Sequence, residues 1–246
     1  MNEELGAPAL ELRDVRAGYG PFRALFGVSL TVGAGEAVAL LGANGAGKTT
    51  IARVATGLIC PTAGSIHVGG TDLSGKAAYR FARDGVAHAP EGRSVFATLS
   101  VEENLALSFR RSMGRHRVAE GLDRALELFP ALAPRRKQLA GTLSGGEQRM
   151  LSMARVLVEA PKVLVADELS LGLAPIIVDE VYRALAQLRT EGTSLLIVEQ
   201  QVGHAFALCD RVVLLHHGAV SWTGSSKDAV DRVVNEVFDP TAAEGA

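Results

Sequence analysis

The stretch Gly42-Ala43-Asn44-Gly45-Ala46-Gly47-Lys48-Thr49-Thr50 constrains this chain more than any other, because it follows an apolar strand-like run over residues 37–41 and opens a helix-like run at Thr50. The pattern G-x-x-x-x-G-K-[ST] in that setting predicts an anion cradle. Its glycines let the loop curl without Cβ clashes and turn successive backbone N–H groups onto one centre. Lys48 is placed to reach the β and γ phosphates of a nucleotide, and the Thr49 hydroxyl to ligate Mg²⁺. The helix that follows adds its positive dipole end to the same anion. A glycine-rich turn that happens to carry a lysine is the bland alternative, and the strand before and helix after weigh against it.

Composition narrows the rest. At 246 residues, with 48% hydrophobic and 21% charged, the chain can bury one substantial core and still accommodate an inserted subdomain. A formal charge of -2 argues against a protein whose affinity comes from neutralising many nucleic-acid phosphates. No apolar run approaches the roughly 18 residues a membrane-spanning helix requires, and the start Met1-Asn2-Glu3-Glu4 is acidic where a signal peptide is basic, so a cytoplasmic chain is expected. Cys60 and Cys209 lack the C-x-x-C spacing of a metal or redox site. His216-His217 before Gly218 suits a hairpin turn better than a metal site.

Strand-like runs at residues 10–17, 37–41, 65–68, 85–89, 162–166, 194–198 and 211–215, with helical patterns between several of them, predict an α/β sheet. From Ser100 to about Ala160 the strand signal vanishes and helix-period segments take over, including 118–129 and 146–159, which predicts an inserted helical subdomain. Pro130 and Pro134 punctuate it, and 131–141 is expected to be loop. Val178, Val181, Tyr182, Leu185 and Leu188 recur at helical spacing and predict an amphipathic helix packed on the sheet. The tail after Phe238 is small and polar and is expected to fray.

Two further segments carry chemistry. Lys162-Val163-Leu164-Val165-Ala166-Asp167-Glu168 is a buried-strand run ending in two carboxylates, which puts those acids at the carboxyl edge of the sheet, where α/β folds bind ligands. Asp167 suits an Mg²⁺ ligand and Glu168 the group that orients an attacking water; an N-cap acid pair is the structural alternative. Ser144-Gly145-Gly146-Glu147 heads a helix and offers either a second anion-binding terminus or a simple cap.

With these three motifs in this order, the chain resembles the ATP-binding-cassette (ABC) family from Leu10 to about Phe238. The resemblance implies an α/β P-loop NTPase of the ABC type. Its mixed-sheet lobe would cover about 8–90 and 160–238, with an N-terminal antiparallel β region, an α-helical signature subdomain at about 91–159 and a flexible tail at 239–246. It implies ATP and Mg²⁺ as cofactors and a head-to-tail dimer. There the loop Gly42 to Thr50 of one subunit and Ser144, Gly145, Gly146 and Glu147 of the other clasp one ATP from opposite sides. Tyr19 matches the aromatic that stacks on adenine. Glu91 stands where many members carry glutamine, in a loop that ligates Mg²⁺ and communicates with the membrane partner. Gln200 stands where most carry a histidine against the γ-phosphate; its amide can donate but cannot titrate near neutral pH. Leu169 replaces the usual proline, and Leu171-Gly172-Leu173 an aspartate-containing loop.

Pro90-Glu91-Gly92-Arg93-Ser94-Val95-Phe96, Ser100-Val101-Glu102-Glu103-Asn104-Leu105, Ser170-Leu171-Gly172-Leu173-Ala174-Pro175 and Val198-Glu199-Gln200 resemble the LivF-like branch, the ATPase subunits of branched-chain amino acid importers. That likeness implies an ATPase peripheral on the inner face of the membrane. Its partners would be a second cassette, LivG-like or a copy of this chain, transmembrane permeases and, indirectly, a solute-binding protein. A urea, amide or other polar-solute importer, a low-turnover regulatory cassette and a soluble cassette of DNA repair or translation are the alternatives. The basic runs at 110–117 and 135–137 read as solvated faces, or as contacts to a membrane subunit or anionic headgroups.

Overall fold

The computed structural model describes residues 6–229, apart from residues 93 and 201 and the side chain of Ser112. The expected tail at 239–246 and the end of the lobe near 238 lie outside the described residues. The chain divides into two compact units: residues 1–88, 162–168 and 192–246, and residues 89–161 and 169–191.

In the first unit, β1 (Leu10–Tyr19) and β2 (Phe22–Val32) form a hairpin, and β4 (Ala63–Val68) and β5 (Thr71–Asp72) complete a four-stranded antiparallel sheet in the order β2-β1-β4-β5. The inward positions of β1 change parity: Leu10 and Leu12, then Val15 and Ala17. A register shift lies between Leu12 and Val15, where Asp14 takes φ 46, and this bulge keeps the apolar set on the core face. The long β2 run is not among the strands expected from the sequence. Its buried positions switch parity too, from Leu25 to Val28, across Gly27 at φ 97, so no single alternation spans it.

The second sheet of this unit holds β3 (Ala37–Leu41), β6 (Val86–Ala89), β7 (Val163–Asp167), β8 (Ser194–Glu199), β9 (Arg211–His216) and β10 (Ala219–Ser225), in the order β10-β9-β3-β8-β7-β6. Strand β3 runs parallel to β8 and β9, and β7 parallel to β8, while β10 pairs antiparallel with β9 at the edge. Every residue of β3, β7 and β8 is buried, which accounts for their unbroken apolar runs. His217 and Gly218 make the β9–β10 turn, as their sequence suggests. Side chains of both sheets and of α1 (Lys48–Ala55) share one core that includes Leu12, Val28, Leu40, Ile51, Val165 and Val213.

The second unit is helical: α3 (Val101–Ser112), α4 (Val118–Leu128), α5 (Gly145–Leu157) and α6 (Pro175–Thr190), following α2 (Ala78–Arg83) of the first unit. Gly121 of α4 lets Phe109 of α3 pack closely, since a Cβ there would stand 2.7 Å from the ring. The segment expected as loop contains 3₁₀ turns at Pro130–Arg135 and Ala140–Thr142. Phe129 and Leu132 are fully buried there, and their burial winds the chain around the two prolines. The helix over 175–190, expected on the sheet, groups with this unit, where α5 is a neighbour. Its apolar stripe includes Val178, Val181 and Leu185. Among the described residues no helix is long and apolar enough to cross a membrane.

Candidate nucleotide site

The phosphate loop leaves β3 at Gly42, where a Cβ would stand 2.4 Å from the Leu215 carbonyl oxygen. Only glycine fits that approach. Gly45 (φ 80) and Gly47 (φ 106) then turn the backbone through left-handed space. Gly47 is the N-cap of α1 and offers no side-chain acceptor, which leaves the helix mouth to an external anion. The β9–β10 turn braces the loop from outside. The Gly218 N–H donates to the Ala46 carbonyl at 2.9 Å, and its own carbonyl accepts from the Phe26 N–H at 2.9 Å.

Lys48 is 4% exposed. Its Nζ donates to the carbonyls of Gly42 at 2.9 Å and Ala43 at 3.1 Å, and stands 3.7 Å from a carboxylate oxygen of Glu168. The ammonium is therefore folded back onto its own loop, beside the position a phosphate would take. Thr49 Oγ1 donates to Asp167 Oδ1 over 3.5 Å, a long contact. Asp167 ends β7 and is buried. An alcohol and a carboxylate oxygen at this spacing fit a hard cation, because adjacent ligands of an octahedral Mg²⁺ shell stand about 3 Å apart. No group of three or more His, Cys, Asp or Glu ligands occurs among the described residues, so water and phosphate oxygens would supply the rest of such a shell.

Glu168 follows β7 with φ 46, a left-handed backbone uncommon for a residue with a side chain. Its N–H donates to the Val198 carbonyl of β8 at 2.9 Å, which fixes this corner. Gln200 lies exposed just past the end of β8. Tyr19 closes β1 and is 44% exposed; its hydroxyl accepts from Arg53 of α1 at 3.2 Å, and that guanidinium sits 6.0 Å from the ring centroid. The first unit thus gathers Lys48, Thr49, Asp167 and Glu168 at one sheet edge.

The remaining candidates lie in the helical unit. Ser144 is the exposed N-cap of α5 and forms a capping box: its Oγ accepts from the Glu147 N–H at 3.3 Å, and Glu147 accepts from the Ser144 N–H at 2.8 Å. Burial pushes the Glu147 carboxyl up, but the Ser144 N–H and an ion pair with Arg135 outweigh it and hold the group below the usual carboxylate range. Gly146 has a packing reason of its own, since a Cβ would stand 2.9 Å from Ile177 of α6. Glu91 is exposed in the segment after β6. Sequence reasoning missed Gly218, Arg149 and Arg155, whose partners are backbone carbonyls with no signature of their own.

A glycine loop, a lysine and a strand-end acid pair around one helix mouth define a protein of the phosphate-loop nucleotide-binding class. A profile described as "ABC transporter" matches residues 25–170, and the chain belongs to that family, as an ATP-binding subunit whose ATPase activity is coupled to transport. It is 45% identical over 203 residues to the high-affinity branched-chain amino acid transport ATP-binding protein BraG of Pseudomonas aeruginosa, covering 82% of this chain and 86% of that one. It is 33% identical over 223 residues to a probable branched-chain amino acid transport ATP-binding protein, LivF, of Archaeoglobus fulgidus, covering 89% and 94%. A solved ATP-binding subunit of an ABC transporter superposes with a TM-score of 0.80 at 27% identity, over 94% of this chain and 98% of that one.

Proposed function

We propose that this chain is the ATP-hydrolysing subunit of a branched-chain amino acid importer, peripheral on the inner face of the membrane. It would pair with a LivG-like cassette or a second copy and act on permeases, which in turn would receive solute delivered by a binding protein. The observation that carries the reading is the meeting of Lys48, Thr49, Asp167 and Glu168 at one sheet edge. The cargo class comes from what BraG and LivF are named for.

Binding begins with an exchange of partners. Lys48 gives up the neutral carbonyls of Gly42 and Ala43 for phosphate oxygens, whose negative charge adds a Coulomb attraction that a neutral carbonyl lacks. The loop N–H groups and the α1 terminus take the remaining phosphate charge. Tyr19 offers its exposed face to adenine. Thr49 and Asp167, with Glu91 as a further oxygen donor, would hold Mg²⁺, which when bound neutralises charge on the β and γ phosphates. Glu168 orients a water and takes its proton as the oxygen attacks the γ-phosphorus. The bond to the bridging oxygen breaks, and ADP leaves with that electron pair. Gln200 donates its amide to a γ-oxygen without titrating. Ser144, Gly145, Gly146 and Glu147 of the paired cassette complete the site. Catalysis is mostly positioning and charge neutralisation.

The test is the chain assembled with its permeases in vesicles, with ATP-dependent uptake of labelled leucine and phosphate release both measured. Lys48→Ala and Glu168→Gln are each expected to lower phosphate release by roughly a hundredfold or more and to abolish uptake. Phosphate release by unmodified protein no faster than by the Glu168→Gln variant overturns the ATPase reading. Uptake of urea or amides, with leucine inert, overturns the cargo alone.

A further inference from the structure

Within the helical unit, the backbone on both sides of Glu91 is held by one side chain. Arg149 of α5 is 3% exposed, and its Nη1 donates to the carbonyl of Pro90 at 2.7 Å and also to that of Gly92. Those carbonyls belong to the residues before and after Glu91. Further along the same segment, Arg155 of α5 donates to the Ser94 carbonyl, and its guanidinium lies 5.0 Å from the Phe96 ring centroid. Asn104 of α3, fully buried, accepts from the Phe96 N–H at 2.8 Å and donates to the carbonyls of Phe96, Leu99 and Ser100. The segment is thus fastened by three side chains, two of them on α5. A guanidinium suits the first position because its fork is rigid and permanently charged, whereas a lysine ammonium is one compact point.

We propose that Arg149 is a positioning residue for Glu91, locking the Glu91 segment to α5 so that the carboxylate moves as one body with the helix whose tip is Ser144, Gly145 and Gly146. This deepens the nucleotide-site reading and rests on Glu91 serving as an oxygen donor to metal-bound ATP. Contacts that hold a metal ligand in place set how well it is aimed, and losing them weakens metal binding by about tenfold or more. The sign is diagnostic. Removing a nearby cation by itself favours a bound divalent metal through Coulomb's law. Loss of aim works the other way.

The experiment uses the full chain saturated with a non-hydrolysable ATP analogue and measures Mn²⁺ affinity from the electron paramagnetic resonance of free Mn²⁺. Arg149→Gln is expected to weaken Mn²⁺ about tenfold, Glu91→Ala by a similar factor, and the double variant no further than Glu91→Ala alone. Arg149→Lys, which keeps the charge and can reach one carbonyl, should fall between. Analogue affinity in EDTA should stay the same in all four, since the phosphate loop is untouched. Independent, multiplying losses overturn the proposal, as does Mn²⁺ binding that tightens in Arg149→Gln. If Arg149→Gln does not fold, the cycle of Arg149→Lys with Glu91→Ala makes the same test. Unchanged Mn²⁺ affinity in Glu91→Ala overturns both the positioning role and the metal role of Glu91. Analogue affinity unaffected by Lys48→Ala strikes instead at the nucleotide site itself.

Discussion

Glu168 meets two demands at one position: its carboxylate faces Lys48 at 3.7 Å, and its backbone sits at φ 46. That conformation costs a residue with a Cβ roughly 1–2 kcal/mol, and glycine almost nothing. Glu168→Gly and Glu168→Ala both delete the carboxylate, so their difference isolates the backbone. The glycine variant is expected to be more stable by about 1 kcal/mol in urea unfolding, although both lose turnover; the reverse order would show that the corner relaxes. His88 carries a different strain. It lies in β6 with Nε2 buried and unpartnered, and burial, aided by the charge of Arg53, lowers its pKa from 6.5 to about 4. The folded state therefore holds this proton more weakly than the unfolded chain, so the associated stability is complete above pH 6.5 and is lost as pH falls towards 4. His88→Leu should remove roughly 2 kcal/mol of the stability difference between pH 7 and 4, after allowing for the residue's partial exposure. Denaturant midpoints at the two pH values check this, and an unchanged difference would clear His88 of the effect.

At the scale of elements, the segment from Phe96 to Ser100 is fastened in large part by one helix residue, Asn104. Asn104→Ala removes the acceptor of the Phe96 N–H and an amide shared among the carbonyls of Phe96, Leu99 and Ser100, each of which keeps a backbone N–H partner, so a loss of about 2 kcal/mol in unfolding free energy is expected; a loss below about 1 kcal/mol would mean that water replaces the amide. Nothing in the residue type announced this role, and the contrast with other elements shows what a sequence can disclose. Strands β3, β7 and β8 were readable because they are covered on both faces and run apolar without interruption. Strand β2 was not, because Gly27 breaks its alternation, and neither was β10, an edge strand with polar residues on half its positions. The loop from Gly42 to Thr50 was legible since its chemistry is local, each residue acting through spacing to its neighbours. Arg149 and Gly218 act on carbonyls distant in the chain, and a carbonyl looks the same in every residue. The 3₁₀ turn at Pro130–Arg135 was hidden for a related reason: two prolines signal interruption, while the buried Phe129 and Leu132 that order the segment become decisive only once a core exists.

At the scale of the whole molecule, each chain owns one phosphate cradle and one serine–glycine helix tip, and a nucleotide shared head to tail would use the cradle of one copy with the tip of another. Ser144 separates the two contributions, being exposed at the head of α5 while the cradle is built from other elements. A net charge of -2 per chain gives only weak repulsion between copies at physiological salt. The Glu168→Gln variant, mixed with ATP either alone or with a related cassette, is therefore expected to sediment at twice the mass of one subunit, and to return to single subunits in ADP. Ser144→Phe should abolish that shift with ATP affinity per subunit retained, because the bulky ring blocks the tip but leaves the cradle alone. Its loss of the cap costs only about 1 kcal/mol, too little to unfold the chain. Lys48→Ala should abolish both the shift and the affinity. A Ser144→Phe chain that still doubles its mass in ATP would mean that the helix tip takes no part in joining the subunits, and that α5 opens with Ser-Gly-Gly for capping and for the close approach of Ile177 alone.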